Sequence, residues 1–217
     1  MKTRILILKW IDCLFGRAAV ILLSYLMTDK ATLQREKFKV SEYARFLIIR
    51  PGGIGDAVLL FPALNKLRVS FPNSHIHVLA EKRNAGILEI CKSIDKLYLY
   101  DRRLDLIRVL KNRYDVVIDT EQWHRLSAVV SYLTRANVRV GFSTNERKKL
   151  FTTTIEYSHN DYEVDSFLKL FGALLNPLLP PFNKGRMGGF DIEKPFSSFK
   201  TAENIRRLKR TRIKVKP

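Results

Sequence analysis

From Ala44 onward the chain switches repeatedly between two hydrophobic periods. Short unbroken apolar runs recur as "ARFLIIR", "HIHVLAE", "KLYLYD", "YDVVIDT" and "VRVGFS". Each is bounded by turn residues and reads as a buried strand. Between them, apolar residues fall three and four apart. Val58, Phe61, Leu64, Leu67 and Phe71 mark one helix, and "AGILEICKS", "LDLIRVLKNR", "RLSAVVSYLTRA" and "DYEVDSFLKLFGALL" mark four more. Strands alternating with such helices predict right-handed βαβ units, hence an α/β, Rossmann-like parallel sheet over residues 44–176. Pro62 falls inside the first helix and predicts a kink or a reset start there. The run Asn145 to Lys149 reads as a solvated loop. No internal repeat is visible.

The flanks differ in character. "ILILKWIDCLFGRAAVILLSYLM" is apolar but interrupted by Lys9, Asp12 and Arg17. Its uninterrupted part, Ala18 to Met27, is shorter than the roughly 20 residues a spanning helix needs. Trp10, Leu14, Ala18, Ile21 and Leu22 can share one face of an interfacial helix, with a core helix or a signal-anchor as alternatives. Residues 1–43 therefore read as a membrane-associating leader and linker. Beyond Pro177 the chain is turn-rich, and from Phe182 it carries eleven Lys/Arg against three Asp/Glu. Residues 177–217 read as a basic, poorly ordered tail.

Composition narrows the partners. A chain of 217 residues with 46% hydrophobic content can bury one α/β core and is not wholly disordered. Its net charge of +18 predicts attraction to nucleic acid, phospholipid head groups or phosphorylated glycans. No DNA-binding motif or aromatic platform accompanies the basic tail, so nucleic acid ranks last. Cys13 and Cys91 are too few for a disulfide framework or a zinc site and fit a reducing cytoplasm.

The candidate chemistry lies in "LIIRPGGIGDAVLLFPALNKLR". Ligands of doubly wound sheets meet the carboxyl ends of strands, where this turn falls. Gly53 and Gly55 supply two glycines of a dinucleotide fingerprint, but Val58 stands in place of the third. Asp56 would repel a pyrophosphate, and the Lys-Ser/Thr of a Walker loop is missing. Gly52, Gly53 and Gly55 nevertheless let the backbone turn sharply and let a ligand approach. Asp56 has two readings: a helix N-cap, or a general base for an attacking hydroxyl. Glu121, Trp123, His124 and Arg125 follow the fourth strand, also at a ligand-facing end. Arg125 could grip a carboxylate or phosphate bidentately, or be a plain surface arginine. His124 reads as an ordinary polar residue.

The spacing of "LIIRPGGIGDAVLLFPALNKLRVSFPNSHIHVL" resembles the opening of glycosyltransferase family 9, the heptosyltransferases of lipopolysaccharide core assembly. The likeness continues through "YDVVIDTEQWHRLSAVVSYLTRANVRVGF" to "HNDYEVDSFLKLFGAL" and spans Arg45 to Leu175. It implies the N-terminal, acceptor-binding half of a GT-B enzyme. Asp56 then matches the base that activates the acceptor hydroxyl, and Gly52 to Gly55 shape the acceptor side. The reaction implied is inverting heptose transfer with no metal and no cofactor, from a nucleotide-sugar (ADP-heptose) to a lipid-linked core oligosaccharide. It implies a cytoplasmic site, peripheral on the anionic inner face of the bacterial inner membrane. Roughly forty residues follow Leu175, fewer than a donor domain needs. The chain therefore reads as an acceptor half, either a truncated product or a subunit with a separate donor-domain chain. The alternative is a non-catalytic module that binds acidic glycan or membrane.

Overall fold

The computed structural model describes residues 12–26 and 40–175. Trp10 and the basic 177–217 segment lie outside the described residues. Six parallel strands form one sheet: β1 (Arg45–Arg50), β2 (His75–Ala80), β3 (Lys96–Leu99), β4 (Val116–Asp119), β5 (Val138–Phe142) and β6 (Thr153–Ile155). Their order is β3-β2-β1-β4-β5-β6. Ile48 of β1 stands level with Val78 of β2 and Ile118 of β4, so the central strands share an apolar register. This is the Rossmann-like parallel sheet that the alternating periods predict. The three-residue β6 escaped the pattern, because "TTI" carries too little apolar signal.

Helices cover both faces of the sheet, which explains why the central strands read as unbroken apolar runs. On one face lie α2 (Ile54–Leu59), α3 (Phe61–Ser70), α4 (Lys82–Leu88) and α7 (Glu163–Leu175). Leu60 between α2 and α3, with Leu64, Leu67, Leu88, Phe167 and Phe171 of these helices, packs on Phe46, Ile48, Val78 and Ile118. On the other face lie α5 (Arg103–Lys111) and α6 (Arg125–Leu133), whose Val109 and Val130 meet Leu47, Ile49 and Val117. The single helix expected across Val58 to Phe71 is two, divided at Leu60 with Pro62 in the first turn of the second. The missing N–H of proline costs nothing at that position.

A π-helical turn over Asp12–Gly16 leads into α1 (Arg17–Leu26), which docks on the outside of α6. Val20 is fully buried with Ala128, Leu150 and Phe151. Asp12 Oδ1 accepts the Leu126 N–H at 2.8 Å, and so satisfies the start of α6 from far away in sequence. Burial pushes the Asp12 carboxyl up, but hydrogen bonds from His124 and the α6 backbone outweigh it and hold it below its ordinary value. Ala18, Ile21 and Leu22 of the face expected to be interfacial are exposed, with Phe15 and Tyr25 beside them. Among the described residues no helix is long and apolar enough to cross a membrane.

The Asn145–Lys149 stretch is not a solvated loop. It opens a 3-10 turn over Glu146–Leu150 in which Arg147 is fully buried. Its guanidinium contacts Asp119 Oδ2 at 2.5 Å, and both side chains are fully inaccessible. Arg147 also donates to the Glu121 carbonyl and to Ser127 Oγ. The charge run hid this role because the partner carboxylate is supplied by β4. Phe151 closes the same region over Gly141, where a Cβ would stand 2.4 Å from the ring. Truncating Asp119 to Ala strands the buried Arg147 charge and should cost about 3–5 kcal/mol in urea unfolding. A loss under about 1 kcal/mol, typical of a surface pair, would contradict this placement.

Candidate active site

The strand order reverses between β1 and β4, so the connections after them leave toward opposite faces. The carboxyl ends of these two strands flank that switch point, the crevice at which such sheets bind ligands. The β1 loop is Pro51-Gly52-Gly53. Gly52 has φ +130°, and a Cβ on it would meet Arg50 Nη2 at 3.1 Å. This glycine is required by backbone and by space together. Gly53 occupies the N-cap of α2 in an extended conformation, and a Cβ on Gly55 would meet nothing within 4 Å.

Asp56 is not an N-cap. It is the third residue of α2, and no side chain caps that helix. Its Oδ2 instead accepts from Arg50 Nη2 at 2.6 Å, while its side chain stays 46% exposed. Oδ1 accepts from no group among the described residues. Arg50 ends β1 and is almost wholly buried, at 1% exposure. Its Nη1 donates to the Thr120 carbonyl at 2.9 Å, and its guanidinium carbon lies 5.4 Å from the centre of the Phe167 ring. Asn84 Nδ2 donates to its carbonyl at 3.0 Å. The arginine therefore joins the β1 strand, the β4 loop and Asp56 in one rigid unit.

The β4 loop supplies the facing wall. Glu121 is buried, and its Oε1 accepts the backbone N–H groups of Gln122 and Trp123, each at 3.1 Å. Its carboxylate braces the loop. Gln122 reaches across to Glu163 Oε1, and the Tyr157 hydroxyl donates to Glu163 Oε2 at 3.1 Å. Burial pushes the Glu163 carboxyl above its ordinary value. The Asp56 charge adds to this rise, while Tyr157, Arg50 and Gln122 oppose it. Arg125 belongs to a different group: its Nε and Nη2 donate to Glu146 Oε2 at 3.1 and 2.9 Å. Its Nη1 lies 3.9 Å from Asp12 Oδ2, so it ties α6 to the α1 segment. Gripping a ligand carboxylate would require that pair to open.

Gly52, Gly53, Gly55 and Asp56 thus come together with Arg50, Gln122, Tyr157 and Glu163, none of which the motif reading singled out. Arg50 had a signal, since a charge ending a buried run needs a partner. Tyr157 and Glu163 had none, because the fold alone brings the segment after β6 to this crevice. Tyr157→Phe removes a donor to the charged form of Glu163. A 13C NMR titration should show Glu163 ionising above an ordinary glutamate, and higher still in that variant. A fall in the variant would contradict the contact.

No family model and no curated relative matches the chain. Solved structures do. Heptosyltransferase WaaC from E. coli, determined with ADP, is 20% identical with a TM-score of 0.53, covering 60% of this chain and 46% of its own. A glycosyl transferase family 9 protein from Veillonella parvula is 21% identical with a TM-score of 0.53, over 63% and 43%. The E. coli ADP-heptose lps heptosyltransferase II is 19% identical with a TM-score of 0.50, over 66% and 47%. The chain spans about half the length of these structures. It has the fold of the glycosyltransferase family 9 heptosyltransferases over that half.

Proposed function

We propose that this chain is the acceptor half of an inverting heptosyltransferase-type glycosyltransferase, with Asp56 as general base. One observation carries this reading. A carboxylate at the switch-point crevice is anchored through one oxygen by a buried arginine, with its other oxygen unclaimed among the described residues. Asp56 Oδ1 takes the proton of an acceptor hydroxyl as that oxygen attacks the anomeric carbon from the side opposite the leaving group. The new glycosidic C–O bond forms as the bond to the nucleotide diphosphate breaks, which inverts the centre. Arg50 holds the base in place beforehand, so little reorganisation accompanies the proton transfer. No step in this scheme is assigned to a metal.

The donor is a nucleotide-sugar of the ADP-heptose kind, held by a donor domain in the rest of a longer protein or in a separate chain. WaaC structures with ADP and with an ADP-2-deoxy-2-fluoro heptose support that donor class. The acceptor is a lipid-linked, acidic core oligosaccharide at the cytoplasmic face of an inner membrane. Two features support a membrane-surface location: the net charge of +18, and the exposed Phe15 of the π-helical turn with Leu22 and Tyr25 of α1. The same two features favour the second reading, a binding module without transfer.

With a donor half supplied, Asp56→Asn should lower transfer by about 10²–10⁴-fold and leave acceptor binding intact. Unchanged turnover would remove Asp56 from the role of base. In co-sedimentation with vesicles of anionic phospholipid, Leu22→Asp should weaken binding of the full chain several-fold. Equal binding by both proteins would leave charge alone as the membrane contact.

A further inference from the structure

Trp123 is the large aromatic residue nearest in sequence to the clamped end of β4, and it is 48% exposed. A half-exposed indole in a loop is often mobile, but this one is held on several sides. Its backbone N–H donates to Glu121 Oε1, and its carbonyl accepts from Asn145 Nδ2 at 2.9 Å. The indole stacks on His159, with ring centres 5.5 Å apart and planes 14° from parallel. Tyr157 meets both rings edge-on, at 6.1 Å from Trp123 and 5.2 Å from His159, and itself rests on Phe142 at 5.1 Å. The result is an indole stacked on one ring and flanked by a second, with part of its area open.

This surface adjoins the proposed base. The hydroxyl of Tyr157 and the amide of Gln122, the neighbour of Trp123, both donate to Glu163, and Arg50 joins Asp56 to the Thr120 carbonyl of the same loop. The wall of the crevice therefore runs from Asp56 through Glu163 and Tyr157 to Trp123. A pyranose ring presents a face of C–H groups, which carry slight positive charge and little affinity for water. An indole face attracts such a ring by dispersion and through its quadrupole, and a pre-held aromatic loses little rotamer freedom on binding. The indole N–H donates to none of the described residues and could serve a ring hydroxyl.

We propose that Trp123, backed by His159, is a stacking platform for a pyranose ring of the acceptor, next to the sugar whose hydroxyl Asp56 deprotonates. The proposal rests on the acceptor-half reading and deepens it by adding an uncharged subsite to an otherwise charge-driven encounter. Stacking fixes the ring plane, and the Asp56–Arg50 pair then selects the hydroxyl that reacts.

The test uses the full chain and a deacylated, Kdo-containing lipopolysaccharide core oligosaccharide as probe. The chain has two tryptophans, so Trp10→Phe leaves Trp123 as the sole indole reporter. Saturable change in its emission on titration is the expected result. By calorimetry, Trp123→Ala should raise Kd about tenfold, His159→Ala should raise it several-fold, and Trp123→Phe should stay within about threefold of the parent. The Trp123→Ala ratio should be the same at low and high salt, since stacking is not screened. Equal affinity in Trp123→Ala and the parent would overturn the platform, as would no binding by the parent. Should Trp123→Ala fail to fold, an unchanged Kd in His159→Ala together with silent Trp123 emission would overturn it equally. Two outcomes separate this proposal from the enzyme reading. Trp123-dependent binding without transfer, donor half supplied, rejects the enzyme and keeps the platform. Transfer with an unchanged KM in Trp123→Ala keeps the enzyme and rejects the platform.

Discussion

Two buried guanidinium groups grip one loop, and the candidate site depends on that grip. Arg50 approaches the segment after β4 from β1 and binds the Thr120 carbonyl. Arg147 approaches it from the 3-10 turn after β5 and binds Asp119 and the Glu121 carbonyl. Each arginine is desolvated, so losing the acceptors of its Nη groups, the only ones it has among the described residues, is costly. The cost of losing those acceptors fixes the course of the loop through Trp123. The same loop therefore lies still enough to face Asp56 across the crevice.

The grip also explains the glycine turn. Arg50 must leave β1 and curl beneath the loop it precedes, and a side chain at Gly52 would stand against its Nη2. The turn is shaped to admit an arginine from its own strand. Where a dinucleotide site offers backbone N–H groups to a phosphate, this turn offers a carboxylate already neutralised on one side. Under the proposed function, a hydroxyl is the ligand for what remains. The apolar groups around it add a second constraint, since Phe167 covers Arg50 and aromatic rings cover the far wall.

Much of the fold was legible along the chain because strands buried on both faces announce themselves as apolar runs. The Pro62 break and the parallel direction of the strands followed from backbone chemistry and the alternation of strands with helices. Legibility failed where an interaction joins distant segments. Arg147 looked like one member of a solvated charge run, because its partner is 28 residues earlier in the chain. Arg125 looked free to hold a ligand, whereas Glu146 and Asp12 share its donors. Asp56 stood between an N-cap and a base on local grounds, and the Arg50 contact removes the first. Tyr157 and Glu163 sit at ordinary positions in a loop and a helix start, and only the assembled sheet brings them to the crevice.

The acceptor assignment is tested most directly by a 15N–1H spectrum of the full chain during titration with deacylated core oligosaccharide. Saturable shifts should gather at the amides of Gly52 to Ala57 and of Glu121 to His124, on the two sides of the β1–β4 crevice. Shifts confined to α1, or to the β3 edge of the sheet, would contradict an acceptor site at Asp56.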